Sequence, residues 1–238
     1  MHAPTFPDWL HALSTISLLI AAACALWIAI DVIRHPQKMA VMNFVWPLAA
    51  MFGSVLWVWL YRAFGRRKGR DVHAPDEKLP YWASVAKGAS HCGAGCTLGD
   101  IIAEWSAFAF PQIAVWFGWH TLFGEKIFAV WIYDYLVAFA LGIAFQYFTI
   151  NPMRDVSVGE GIAAAVKADF LSITSWQVGM YGLMALIQFA WFAPSYGGLA
   201  PVNTPEFWFA MQIAMLAGFA TAFPTNWLLI RKGLKEKM

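Results

Sequence analysis

The 238-residue chain is poor in charge and in cysteine, and each shortage removes a class of protein. Only 13% of its residues are charged against 60% that are apolar, with a mean hydropathy of +0.56, which excludes a water-soluble globular composition. The three cysteines, Cys24, Cys92 and Cys96, all fall inside apolar stretches, so a secreted disulfide framework is not expected. A phosphate-binding loop of the G-x-x-x-x-G-K type is missing, which argues against a self-contained ATP-driven pump. The net charge of +2 gives no footing for a nucleic-acid partner. The first eleven residues carry neither a basic segment nor a small-residue cleavage site and are not read as a signal peptide.

What is present is a succession of apolar stretches long enough to cross about 30 Å of hydrocarbon. The expected fold class is all-α: a polytopic membrane protein, one bundle of about six transmembrane helices over 13–33, 42–64, 81–110, 126–150, 160–192 and 207–230. Pro47 is expected to kink or open the second span. Six crossings put both termini on one side. Arg66, Arg67, Lys68, Arg70, Lys78, Arg154, Arg231, Lys232, Lys235 and Lys237 then argue that both are cytoplasmic, with the 231–238 segment read as a basic tail.

The third span carries the chemistry. Cys92, Cys96, Asp100 and Glu104 recur at four-residue steps, which stacks them on neighbouring turns of one helix face. His91 lies about 100° away and joins the same site only if Gly93-Ala94-Gly95 unwinds. Gly95 and Gly99 form a small-xxx-small pair that invites another backbone. Ionisable groups inside a membrane are costly and by default functional. Soft sulfur ligands select Cu(I) first, and zinc among the commoner ions. Cys92 and Cys96 are therefore the candidate metal ligands, with His91 as a third, and Asp100 and Glu104 are candidates for a proton or charge relay. Met180, Met184, Met211 and Met215 are candidate secondary soft-metal ligands, although a Met pair at helical spacing is more often packing than ligand. A haem would take His91 with His120 or a Met as axial ligands. Asp134 is read as pairing with Lys126 or reaching water.

The run His91-Cys-Gly-Ala-Gly-Cys96-Thr-Leu-Gly-Asp100-Ile-Ile-Ala-Glu104 resembles the bacterial membrane family catalogued as domain of unknown function 4396. The elements Arg34-His-Pro-Gln37, Met42-Asn43, Trp46-Pro47 and Pro224-Thr-Asn226-Trp227 to Lys235-Glu236 carry the same resemblance. It implies a small multi-pass protein of the bacterial inner membrane, leans towards copper, and supplies no catalytic residues. The function expected is binding of a soft transition metal within the bundle for transport or delivery. The implied partners are the lipid bilayer, the metal ion, and a metallochaperone, a metalloenzyme or a second copy of the chain. A membrane oxidoreductase using the cysteine pair, haem or quinone is the alternative from another class, and an assembly subunit of a membrane complex is a third.

Overall fold

The computed structural model describes residues 4–66, 79–154 and 157–235. It is an all-α polytopic bundle: α1 (Asp8–Arg34), α2 (Met42–Leu60, continued by a π turn, Tyr61–Gly65), α3 (Tyr81–Ala109), α4 (Gln112–Trp116), α5 (Lys126–Arg154), α6 (Val158–Ala185, continued by a π turn, Leu186–Phe192), α7 (Ala193–Tyr196) and α8 (Pro205–Arg231). Five stretches among the described residues are long and apolar enough to cross a membrane, and α3 is not one of them. The reason is visible in its packing. From Ala83 to Asp100 nearly every residue of α3 is buried by α2, α5, α6 and α8, so it meets protein and can be rich in Gly, Ser and ionisable groups. By contrast α1 leaves Leu13, Ile16, Leu19, Leu26 and Ile33 exposed, the surface expected of a helix that faces lipid.

Side-chain pairings fix the direction of each helix. His11 and Ser17 of α1 bond Glu206 and Gln212 of α8, so these two run parallel. Trp105 stacks on Trp208 and Tyr81 reaches the Trp227 carbonyl, so α3 runs against α8. Lys126 meets the Ala107 carbonyl, and Thr149 meets His91, so α5 runs against α3. The pairs Asp134–Tyr181 and Tyr135–Thr174, then Ser175–Thr225, complete the alternation through α6 to α8. We call the two faces of the bundle the Lys126 end and the Lys235 end. The start of α1 lies at the Lys126 end, where Thr5 bonds the Tyr196 carbonyl. The end of α8 lies at the other.

This arrangement corrects the expectation for the second span. Its length and composition match a crossing. The chain nevertheless doubles back at Ser54, whose φ of 49° and ψ of −133° break the helix. The rings of Trp46 and Tyr61 lie 5.5 Å apart, and a Cβ on Gly65 would strike Trp46. Fifteen residues of continuous helix would separate the first pair by about 22 Å. Both ends of this re-entrant hairpin are therefore at the Lys235 end, where Tyr61 and Arg66 bond Asp31 of α1. Its tip is held mid-bundle. Gln212 donates to the Met51 carbonyl, which the break has freed, and accepts from Ser17. Non-helical backbone at membrane depth is tolerated where protein satisfies it in this way. Pro47, expected to cause the distortion, sits inside a regular turn. The second correction follows: with the hairpin returning, the first and last described residues, Pro4 and Lys235, sit at opposite ends of the bundle, against the expectation that both termini are cytoplasmic.

Candidate cation site

Close approach of α3 and α5 sets the geometry of the interior. A Cβ on Gly99 would come within 2.7 Å of the Ala138 Cα, and one on Gly95 within 3.2 Å of the Gly142 Cα. Gly93 leaves room for the indole of Trp176 from α6. These glycines are used for packing, and the Gly93–Gly95 run stays helical. His91 consequently does not turn towards Cys92. It faces α5, with Nε2 3.1 Å from Thr149 Oγ1 and its ring against Phe145.

Cys92 points the other way, into a fully enclosed polar cluster. Its Sγ lies 2.9 Å from Ser172 Oγ and 3.5 Å from Asp169 Oδ1, both on α6. Asn226 of α8 donates to Ser172 Oγ at 2.7 Å. The Lys235 ammonium enters from beyond α8, 3.0 Å from Cys92 Sγ and 2.7 Å from Asp169 Oδ1, and the side chains of both Lys235 and Asp169 are completely buried. The 231–238 segment was read as a tail, and the structure describes it only as far as Lys235. Gly233, at φ 68°, explains how that residue is brought back. The Gly233 amide bonds the Ile230 carbonyl and the Leu234 amide bonds that of Leu229, a left-handed helix end that reverses the chain.

Beyond Cys92 the ionisable groups continue towards the Lys126 end. Cys96, fully buried, is within electrostatic reach of Cys92, Asp169, Asp100 and Asp134. Asp100 faces Asp134 of α5, and Asp134 accepts a hydrogen bond from Tyr181 of α6 at 2.9 Å. Glu104 follows one turn on, within reach of Asp134 and Lys126. Both Asp100 oxygens, one of Asp134, one of Glu104 and one of Asp169 are buried with no donor group aimed at them, and the facing Asp100 and Asp134 carboxyls bond one another only if a proton is held between them. Such oxygens are costly unless a proton, water or cation meets them. The interior thus holds one thread, from Lys235 and Asp169 through Cys92 and Cys96 to Asp100, Asp134, Glu104 and Lys126.

The four methionines belong to the same buried core as Cys92 and Cys96, with Met180 and Met184 fully buried in it, and the Met215 sulfur lies 3.9 Å from the hydroxyl of Thr97, the residue after Cys96. Met211 and Met215 line a cavity of about 360 Å³ with Met51 at the hairpin tip, Thr97 and Gln212. This cavity exists because the hairpin stops half-way, leaving the other half of the groove between α1 and α3 unfilled. Gln188 pins the loop by pairing with the Ala200 backbone. Among the described residues no group of three or more His, Cys, Asp and Glu side chains is arranged to hold a metal ion.

Asp134, Asp169, Ser172, Tyr181, Asn226 and Lys235 were not among the candidates drawn from the sequence. Asp169 lies in the first turns of a long apolar helix, and Asp134 is read from sequence as pairing with Lys126 or reaching water. The usable signal was an acid within an apolar span, which both possess, and in each case a nearby helix end offered a solvated explanation instead.

The fold and the enclosed thread define a multi-pass membrane protein with an ionisable interior. The chain belongs to the family described as domain of unknown function DUF4396, whose sequence profile matches residues 81–235. That range begins with the first residue of α3 and ends on Lys235, so it contains every residue of the thread and excludes α1 and the hairpin. Comparison with curated proteins and with solved structures found no match.

Proposed function

We propose that this protein carries a soft monovalent metal ion, Cu(I) before others, through or into a bacterial inner membrane along the thread on α3. The observation that carries this reading is the enclosure of two thiols and four carboxyl groups in one continuous row across the bundle, with carboxyl oxygens left unpartnered. Cys92 and Cys96 are the primary ligands. Binding a cation to thiols releases protons, and Asp169, Asp100 and Asp134 are placed to accept them. The cavity lined by Met51, Met211 and Met215 supplies thioethers on the Lys126 side.

The orientation follows from the helix directions. Among the described Lys and Arg residues, only Lys126 belongs to the Lys126 end or the loops that join helices there. The positive-inside rule then assigns the Lys235 end to the cytoplasm and the start of α1 to the outside. This distribution is more one-sided than six crossings would make it, since Arg34 and Lys38 now fall on the basic face.

Elemental analysis of detergent-purified protein beside a Cys92→Ser, Cys96→Ser variant tests the reading. Expected is copper near one equivalent per chain after Cu(I) loading, lost in the variant with its elution profile unchanged. Equal retention by the variant, or no uptake by the parent protein, overturns it and moves the function to thiol redox or assembly.

A further inference from the structure

Resting on the soft-cation reading above, we infer that Asp169, Cys92, Ser172 and Asn226 form a binding site for a monovalent cation that the chain's own Lys235 ammonium occupies in this conformation, so that metal and lysine exchange. The geometry is that of a cation site with a tethered guest. The ammonium makes a charge-assisted bond to Asp169 Oδ1 at 2.7 Å and a second contact to Cys92 Sγ at 3.0 Å. Ser172 Oγ is braced beside the sulfur by Asn226. Two further oxygens, Asp169 Oδ2 and Asn226 Oδ1, are buried there without a partner. The lysine uses part of the site and leaves donor atoms that an ion with more coordination positions would engage.

Charge selects the guest. With Lys235 in place the cluster holds one ammonium, one thiol and one carboxylate, and is neutral. When Lys235 withdraws as the ammonium and Cu(I) or Ag(I) enters, the Cys92 proton passes to Asp169 Oδ1, along the contact already present at 3.5 Å. The result is one metal cation, one thiolate and one carboxylic acid, again neutral. A divalent ion reaches neutrality there only if the Cys92 proton leaves the site altogether, whereas a monovalent ion needs only its transfer to Asp169. The tether also permits release. Lys235 lies only two residues past Gly233, the hinge of the helix end, so it leaves by unfolding one turn of loop and disturbing no helix.

The test uses the full chain in detergent and Ag(I) as a redox-inert probe, with two readouts. Acetylation of Lys235 followed by mass spectrometry is expected to be slow without Ag(I) and on the order of tenfold faster at saturation, and unaffected by Ag(I) in Cys92→Ser. Lys235→Leu, which adds no ligand atom, is expected to bind Ag(I) on the order of tenfold more tightly, because no internal competitor must be displaced. Should that variant misfold from leaving Asp169 unpaired, the labelling of the parent protein decides alone. The Asp169→Asn, Lys235→Leu double variant, with both charges removed, is expected to fold and to lose the gain. Lys235 that stays protected at full Ag(I) loading, with parent-like affinity in Lys235→Leu, overturns the exchange while the carrier reading stands. Absence of Ag(I) binding in the parent overturns both.

Discussion

Gly99 shows how strongly one position can be constrained. The Ala138 backbone and side chain surround the place where its Cβ would be, with three atoms between 2.7 and 2.9 Å. These are helix atoms that cannot rotate away. Gly99→Ala is therefore expected to push α3 from α5 and lower stability by about 1–3 kcal/mol, read as a drop in the thermal midpoint of tryptophan fluorescence in detergent. An unchanged midpoint would mean that the helices are less tightly apposed. The same kind of reading found Cys92, Cys96, Asp100 and Glu104 from spacing alone, because residues four apart must share a face on any helix. Asp169 and Lys235 were not legible in that way. Each resembles a solvated charge near a helix end, and only their mutual burial reveals that they neutralise one another.

Helices and their ends carry the next level of the argument. Gly233 ends α8 at φ 68°, a conformation that costs an L residue roughly 1–2 kcal/mol. Gly233→Val is expected to disfavour the reversed turn and draw Lys235 out of its site. The measurement is acetylation of Lys235 without metal, expected to quicken by about tenfold, the equivalent of about 1.4 kcal/mol. Unaltered protection would show that the Asp169 contact holds the loop without help from the turn. The helix positions follow the apolar stretches to within a few residues, although α1 begins at Asp8 rather than 13 and α5 runs on past Pro152 to Arg154; at the start of α6, two residues before the expected one, Ser157 and Glu160 form a reciprocal cap. The break at Ser54 was not read, although Gly53-Ser54 is a pair of the kind at which helices kink; the apolar length of the stretch outweighed it, and Pro47, the stronger breaker, lies in regular helix.

Taken across the membrane, the hairpin changes the topology. Six crossings place Lys38 and Lys232 on opposite faces, whereas the observed helix directions place them on the same one. Single cysteines at these positions, in a chain whose native cysteines are replaced by serine, are expected to react with an impermeant thiol reagent from the same side of sealed vesicles. Thr5→Cys is expected to react from the other side. Labelling of the first two from opposite sides would restore a continuous crossing over 42–64.

Composition and periodicity were enough to establish an all-α membrane bundle, the approximate extent of its helices and the sulfur and carboxylate row on α3. These follow from local physics: hydrocarbon thickness sets helix length, and helical repeat sets which residues align. The direction of the second half of α2, the turning of His91 away from Cys92, and the meeting of Asp169, Lys235 and Asn226 around one sulfur were decided only by tertiary packing. Residues 77 and 143 positions from Cys92 supply its carboxylate and its ammonium. Contacts that distant depend on how whole helices pack, which no local pattern encodes.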